Sequence, residues 1–255
     1  MVGENPRVEA PFFSVRGRKV VEEVLVQIAD AIRLGDLDVG DRLPTERRLA
    51  ELFEVSRPSV REAAKVLVEA GVLEANRGSA GGLVVLTDVI PAGLIDDRIE
   101  IRMDDLASVL EARRILEPRI AQLASYHADA ADIDAMRRTI DQQDALRHDR
   151  VRFNEVDARF HMLMARATHN PSVETMSRDL QRDLRISRDM SMRESFEPDQ
   201  SLDVHKRTLA AIVRGDEAEI DAVMDEHLGL LETLFTSIGG RLRTRRPPSF
   251  LRLPA

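Results

Sequence analysis

The stretch Leu43-Pro44-Thr45-Glu46-Arg47-Arg48-Leu49-Ala50-Glu51-Leu52-Phe53-Glu54-Val55-Ser56-Arg57-Pro58-Ser59-Val60-Arg61-Glu62-Ala63 decides the fold of the first third of this chain. It reads as two short amphipathic helices joined by a tight turn. Thr45 stands where an N-cap is needed for a helix over about Glu46 to Phe53, and Ser56 for one that runs to about Glu69. Pro58 falls in the first turn of that second helix, where a missing N–H costs little. The second helix opens with Ser56, Arg57, Ser59 and Arg61. That is the layout of a helix-turn-helix, whose second helix enters the DNA major groove by its N-terminus. Arginine can grip guanine in a bidentate fork, and hydroxyls with helix-terminal N–H groups bind phosphate oxygens.

Upstream, apolar residues at Val20, Val21, Val24, Leu25, Ile28, Ala31 and Ile32 follow a helical period that stops at Gly35. Downstream, Gly71 ends the second helix of the motif. The runs Val72-Leu73-Glu74-Ala75 and Leu83-Val84-Val85-Leu86 then flank a Gly-rich tip, which predicts a β-hairpin. Such a hairpin is the wing of a winged helix-turn-helix, and Arg77 at its tip would offer charge to the minor groove or the phosphates. Residues 12–87 form this winged unit, and 88–104, broken by Asp88, Pro91, Gly93 and Asp96-Asp97, read as a linker.

Residues 105–238 read almost entirely as helix, with candidates at 105–126, 130–147, 150–168, 172–192, 200–214 and 217–237. The expected fold class is mainly α: a winged helix-turn-helix followed by an antiparallel all-helical bundle. Residues 239–255, with five Arg in Arg241 to Ala255 and no acid, are expected to be a disordered basic tail.

Bulk numbers bound the function. The 255 residues carry a net charge of −8, which argues against a general polyanion binder. Residues 1–87 hold 12 Lys and Arg against 14 Asp and Glu, so DNA-facing charge must be local; five Arg against three Glu lie between Arg42 and Arg61. Within that patch Arg48 reads as part of a solvated face, and Arg42 fits either role. The absence of Cys excludes disulfides and thiolate metal sites. No apolar run reaches the ~20 residues of a membrane span, and Met1 to Pro11 lacks the apolar core of a secretion signal. A cytoplasmic protein is expected.

The bundle carries a second constellation. Phe153, Asp157, Phe160, His161 and Met164 share one helix face, as do Leu202, His205, Leu209 and Ile212, and Ile220, Met224, His227, Leu231 and Leu234. One carboxylate and three imidazoles thus point inward. A single such His is ordinarily a core histidine satisfied by a neighbour. Four unpartnered polar groups in one core would cost several times about 1–3 kcal/mol, and a shared divalent ion is the alternative; imidazole and carboxylate suit Zn, Ni, Fe or Mn. Asp157 and His161, at i and i+4, can chelate from one helix. Arg113 falls on an inner stripe with Leu106, Val109, Leu110, Leu116 and Ile120, and an inward guanidinium wants an anion. That anion is either an effector or an acid of the bundle. Met162, Met164, Met190, Met192 and Met224 read as core filler. His127, His148 and His169 lie outside the pattern, on the surface or in loops.

The first 87 residues resemble the GntR family of bacterial transcription regulators. The resemblance rests on Gly35, Gly40-Asp41-Arg42-Leu43-Pro44-Thr45-Glu46-Arg47-Arg48-Leu49-Ala50, Val55-Ser56-Arg57-Pro58-Ser59-Val60-Arg61-Glu62-Ala63, Leu67 and Gly71-Val72-Leu73. It implies DNA contacts from Arg47, Arg57 and Arg61, helped by Ser56, Ser59, Arg77 and Gly78. Pro58 departs from the small polar residue usual there, and the wing lacks an aromatic.

The bundle is similar to the FCD domain of the FadR subfamily. The matching pieces are Glu111-Ala112-Arg113, Leu116-Glu117-Pro118, Asp157, Phe160-His161, Asn170-Pro171, His205, Ala211-Ile212, Gly215-Asp216, Met224 and His227-Leu228. This resemblance implies one metal held by Asp157, His161, His205 and His227, with an effector carboxylate on Arg113. The expected protein is therefore a homodimeric regulator, in the sense of a repressor, on a palindromic double-stranded DNA operator, and not an enzyme. Two rivals remain: an acyl-CoA-responsive regulator without a metal, and a metal-dependent enzyme, for which no nucleophile or general base stands beside the quartet.

Overall fold

The structure is a computed structural model that describes residues 20–76, 82–91, 94, 103–184, 198–237 and 240. The chain divides into two compact units, Met1–Glu100 and Ile101–Ala255. Among the described residues no helix is long and apolar enough to cross a membrane.

The first unit contains α1 (Val20–Arg33), α2 (Glu46–Phe53), α3 (Arg57–Glu69) and a hairpin of β1 (Leu73–Asn76) and β2 (Gly82–Val85). Thr45 Oγ1 accepts from the Arg48 amide at 3.2 Å, and Ser56 Oγ from the Ser59 amide at 3.3 Å, so both expected caps form. The turn between α2 and α3 runs through Glu54 in the left-handed region, φ 54°. β1 and β2 pair antiparallel, Leu73 opposite Val85 and Asn76 opposite Gly82. Gly71, at φ 73°, lets the chain leave α3 and enter β1. The segment before α2 joins the hairpin as a third extended line: Gly40 N donates to Val85 O at 2.9 Å and Leu43 N to Leu83 O at 3.0 Å. Val24, Ile28, Ile32, Leu49, Phe53, Val60, Leu67 and Val85 close one core. Burial of these side chains, about 1.5–3 kcal/mol for each large one, holds the three short helices together.

The second unit contains α4 (Met103–His127), α5 (Ala130–Ala145), α6 (Arg150–Arg166), α7 (Pro171–Asp183), α8 (Pro198–Arg214) and α9 (Glu217–Ser237). α5 is started by a capping box between Asp129 and Asp132, α6 by Asp149, and α7 by Asn170 followed by Pro171. α4 packs against α6, α7, α8 and α9, while α5 packs against α6 and α8. Ile120, Ala124, Met136, Ile140, Phe160, Met164, Leu209, Ile212, Ile220 and Met224 form the main core. Leu106, Leu110, Leu180, Leu184 and Phe235 form a second one. Of the helix expected over 172–192, α7 covers the part up to Asp183, and 185–197 lie outside the described residues. So do Met190 and Met192, most of the expected linker, and the expected basic tail apart from Gly240.

Candidate functional site

On the first unit the start of α3 is exposed. Arg57 and Arg61 face solvent, and Ser56 and Ser59 hydroxyls lie 2.8 Å apart. Arg61 is not loose. Its Nη2 lies 2.8 Å from Glu46 Oε2 on α2, a pair that raises the arginine pKa through the hydrogen bond and the charge of Glu46. Arg47 and Arg48 both reach Glu51, at 3.4 and 3.5 Å. Arg47, Ser56, Arg57, Ser59 and Arg61 thus occupy one stretch of α2, turn and α3. Arg77 and Gly78 lie outside the described residues.

In the bundle, four helices aim polar side chains at one buried point. α6 supplies Asp157 and His161, α8 supplies His205, and α9 supplies His227; all three His are at most 5% exposed. One nitrogen from each imidazole can be chosen so that all lie within 4.8 Å of one another. His161 Nε2 and His227 Nε2 are 3.1 Å apart. The Asp157 carboxylate stands beside them, 3.5 Å from His205 Nε2 and 3.9 Å from His161 Nε2, and its side chain is 23% exposed.

Arg113, on α4, enters the same point. Its Nη2 lies 2.9 Å from His227 Nε2 and 3.3 Å from His161 Nε2. A guanidinium only donates, so a ring nitrogen that accepts from it must be bare. The shorter of the two contacts asks for a lone pair on His227 Nε2, and the 3.1 Å contact between His161 Nε2 and His227 Nε2 then takes its proton from His161. Burial lowers the His227 pKa well below the ordinary value, and Arg113 and the other two His lower it further. Burial also lowers that of His205, against the opposing pull of Asp157. Neutral imidazoles with bare nitrogens are the ligand form of histidine. His205 Nε2 is buried and makes no hydrogen bond. Three imidazoles and a carboxylate are a donor set that fits Zn, Ni, Fe or Mn.

Sequence reasoning missed the residues that surround this set. Glu117, 1% exposed, lies 3.0 Å from Arg113 Nε and 3.4 Å from His161 Nδ1, and accepts from Gln181 Nε2 at 3.1 Å. Burial raises the Glu117 pKa, and Arg113 holds it back. Arg113 thus has an acid of the bundle as partner, one of the two anions its inward position allowed. Gln143, fully buried on α5, joins Asp157 to His205. In the sequence Gln143 stands at i+4 from Thr139 and i+3 from Ile140, both on the inner face of α5, but an amide on a helix reads by default as surface. Met162, Met164 and Met224 are buried.

A second His/Asp group, Asp129, Asp132 and His169, is exposed at the start of α5. Its members serve the capping box and tie the loop before α7 to α5 through a 2.7 Å contact between His169 and Asp132.

Two family models match the chain. One, described as bacterial regulatory proteins of the gntR family, matches residues 20–82, and one described as the FCD domain matches 108–230. The chain is similar to an uncharacterized HTH-type transcriptional regulator, YcbG, of Bacillus subtilis, with 29% identity over 84% of this chain and 89% of that one. It is also similar to the Uxu operon transcriptional regulator of Escherichia coli, with 29% identity over 81% of this chain and 83% of that one. Among solved structures E. coli McbR/YncC shares the fold, with a TM-score of 0.54 and 17% identity over 87% of this chain and 99% of that one.

Proposed function

Because the chain belongs to the GntR family of bacterial regulatory proteins and carries an FCD domain behind its helix-turn-helix, we propose that this DNA-binding transcription regulator is a repressor controlled by a divalent metal and a small carboxylate effector. Its relatives are transcription regulators, not enzymes. The observation that carries the proposal is the convergence of imidazole nitrogens from α6, α8 and α9 beside the Asp157 carboxylate. His161, His205, His227 and Asp157 would hold the ion, which would supply a Lewis-acid seat for the effector carboxylate. Arg113 would take the other end of that carboxylate's charge.

Arg47, Ser56, Arg57, Ser59 and Arg61 would contact DNA, with Arg77 and Gly78 of the wing helping. A homodimer would set two α3 helices on the half-sites of a palindromic operator. The effector acts only so far as it binds the DNA-competent and the DNA-released states with different affinity. The proposed organisation is a winged DNA-binding unit over 12–87, a linker over 88–104, an effector unit over 105–238 and a basic tail over 239–255.

The test is a thermal-shift screen of the purified protein against small hydroxy and dicarboxylic acids and acyl-CoAs, with and without a chelator. A ligand that binds only the folded state raises Tm by mass action. Stabilisation by a small carboxylate that vanishes with chelator is the expected result. Stabilisation by acyl-CoA that the chelator leaves untouched would replace the metal reading with the acyl one.

A further inference from the structure

Gln143 sits on the last turn of α5, fully buried, between two side chains of the proposed metal set. Its Nε2 donates to Asp157 Oδ1 at 3.3 Å, and its Oε1 lies 2.7 Å from His205 Nδ1. The orientation of the amide is forced. A carboxylate only accepts, so the NH2 end of the amide must face Asp157. The carbonyl end then faces His205 and can itself only accept, so this contact favours the neutral ring's proton on Nδ1, with Nε2 as the bare nitrogen. Ser201 Oγ donates to the same Asp157 Oδ1 at 3.2 Å, so that oxygen is held by two donors at once.

The alternative tautomer has a claim of its own. Asp157 Oδ1 lies 3.5 Å from His205 Nε2, and a carboxylate at that distance favours a proton on Nε2. Gln143 and Asp157 thus pull the same proton to opposite sides of the ring. The 2.7 Å contact with Gln143 is the shorter, and Nε2 makes no hydrogen bond. Phe160, stacked on the His205 ring with centroids 4.3 Å apart, fixes the ring plane but is indifferent to which nitrogen is protonated.

We infer that Gln143 is a positioning residue that places the proton of His205 on Nδ1, and so leaves Nε2 bare toward Asp157 and the other two imidazoles. This rests on the proposed metal reading for its consequence: a proton on Nε2 would block the nitrogen that the ion needs. Partners on the far ring nitrogen orient metal-binding histidines in this way, and their loss costs about 10- to 100-fold in metal affinity.

The experiment has two readouts on the full-length protein. The first is the tautomer of His205 by long-range proton–nitrogen NMR of the metal-free protein, assigned by the signal that His205→Gln removes. The second is Zn2+ affinity by competition with a chelating indicator. Wild type is expected to show the Nδ1–H form. Gln143→Leu removes the acceptor and is expected to move the proton to Nε2 and weaken Zn2+ binding about 10- to 100-fold. Gln143→Glu restores an acceptor for Nδ1–H and is expected to keep the Nδ1–H form.

An Nε2–H signal in wild type overturns the inference even where Gln143→Leu does not fold, and unchanged Zn2+ affinity in a folded Gln143→Leu overturns it too. Wild type that takes up no Zn2+ overturns the metal reading instead. The two failures are distinguishable because the tautomer is read without metal.

Discussion

Arg61 and Glu46, fifteen residues apart, share nitrogen–oxygen contacts of 3.3, 3.2 and 2.8 Å that tie α3 to α2. Arg61 is exposed, so this pair contributes little to stability. Its effect is on where the guanidinium points. A held arginine meets a base with less rotamer freedom to lose, and the nearby carboxylate penalises approach to any backbone that does not offer Arg61 a better partner. Glu46→Gln is expected to raise affinity for random DNA, steepen its salt dependence and narrow the ratio of operator to random binding. Arg61→Ala is expected to weaken operator binding about tenfold or more. Fluorescence anisotropy on an operator selected from random-sequence DNA, at several salt concentrations, checks both. A Glu46→Gln protein with unchanged salt slope and ratio would show that the pair only decorates the surface.

Ser56 has a structural task as well as its proposed contact with DNA, because its Oγ accepts from the Ser59 amide. Ser56→Ala is expected to cost about 1 kcal/mol and Ser56→Gly only a few tenths. Ser56→Thr keeps the acceptor and should keep both cap and DNA affinity. Hydrogen exchange over the first turn of α3 reads the cap, and anisotropy reads the contact. Equal exchange in Ser56→Ala and wild type would remove the cap from the account. Arg57 takes no part in a cap, so Arg57→Ala should leave exchange alone and weaken operator binding by about 1–3 kcal/mol.

Local chemistry made the first unit legible. The caps Thr45 and Ser56, the breaker Gly71 and the apolar period of α1 each act within a few residues, and α2 spans Glu46–Phe53 as read. The hairpin is displaced by one residue at each strand, 73–76 and 82–85, because pairing register depends on both strands and the segment at Gly40–Leu43 together. In the bundle, helical period alone put His161, His205, His227 and Arg113 inside. Asp157 shares that face but stays at its edge, because a helix face does not say where the neighbouring helix ends. Gln143 and Glu117 were illegible for a related reason. Their burial comes from the packing of α5 against α6 and α8, and of α4 against α6 and α7, and no property of the residues themselves announces it.

Arg114 and Glu232 were equally hidden, and they join α4 to α9 by contacts of 2.6 and 2.7 Å with both residues 7% exposed. Asp225 adds a third partner from the rim. Breaking a buried pair strands a charge, which costs about 3–5 kcal/mol. Arg114→Met, which leaves the buried Glu232 carboxylate without its guanidinium, should therefore lower the urea midpoint strongly. Replacing both partners by apolar residues of similar volume should cost far less than the single change, since no charge is then stranded. Additive, small losses in this double-mutant cycle would mean that water reaches the pair.

The buried imidazoles make the bundle sensitive to acid. His205 and His227 both titrate below the ordinary value of 6.5 when folded, so the unfolded chain binds protons that the folded chain refuses. Stability is then complete above about pH 6.5 and declines as pH falls below it, levelling only under the folded values. Glu117 acts in the opposite sense: burial raises its pKa above 4.5, so its protonated form favours the fold at low pH. A comparison that changes one imidazole separates the two. In chelator, the wild-type urea midpoint should fall between about pH 7.5 and about pH 5.5 more steeply than that of His227→Gln, which has one fewer proton to refuse. Parallel slopes for the two proteins would show that His227 binds its proton equally well folded and unfolded. The same protons compete with a bound ion, so wild-type Zn2+ affinity should weaken over the same interval and with it the thermal stabilisation that Zn2+ confers.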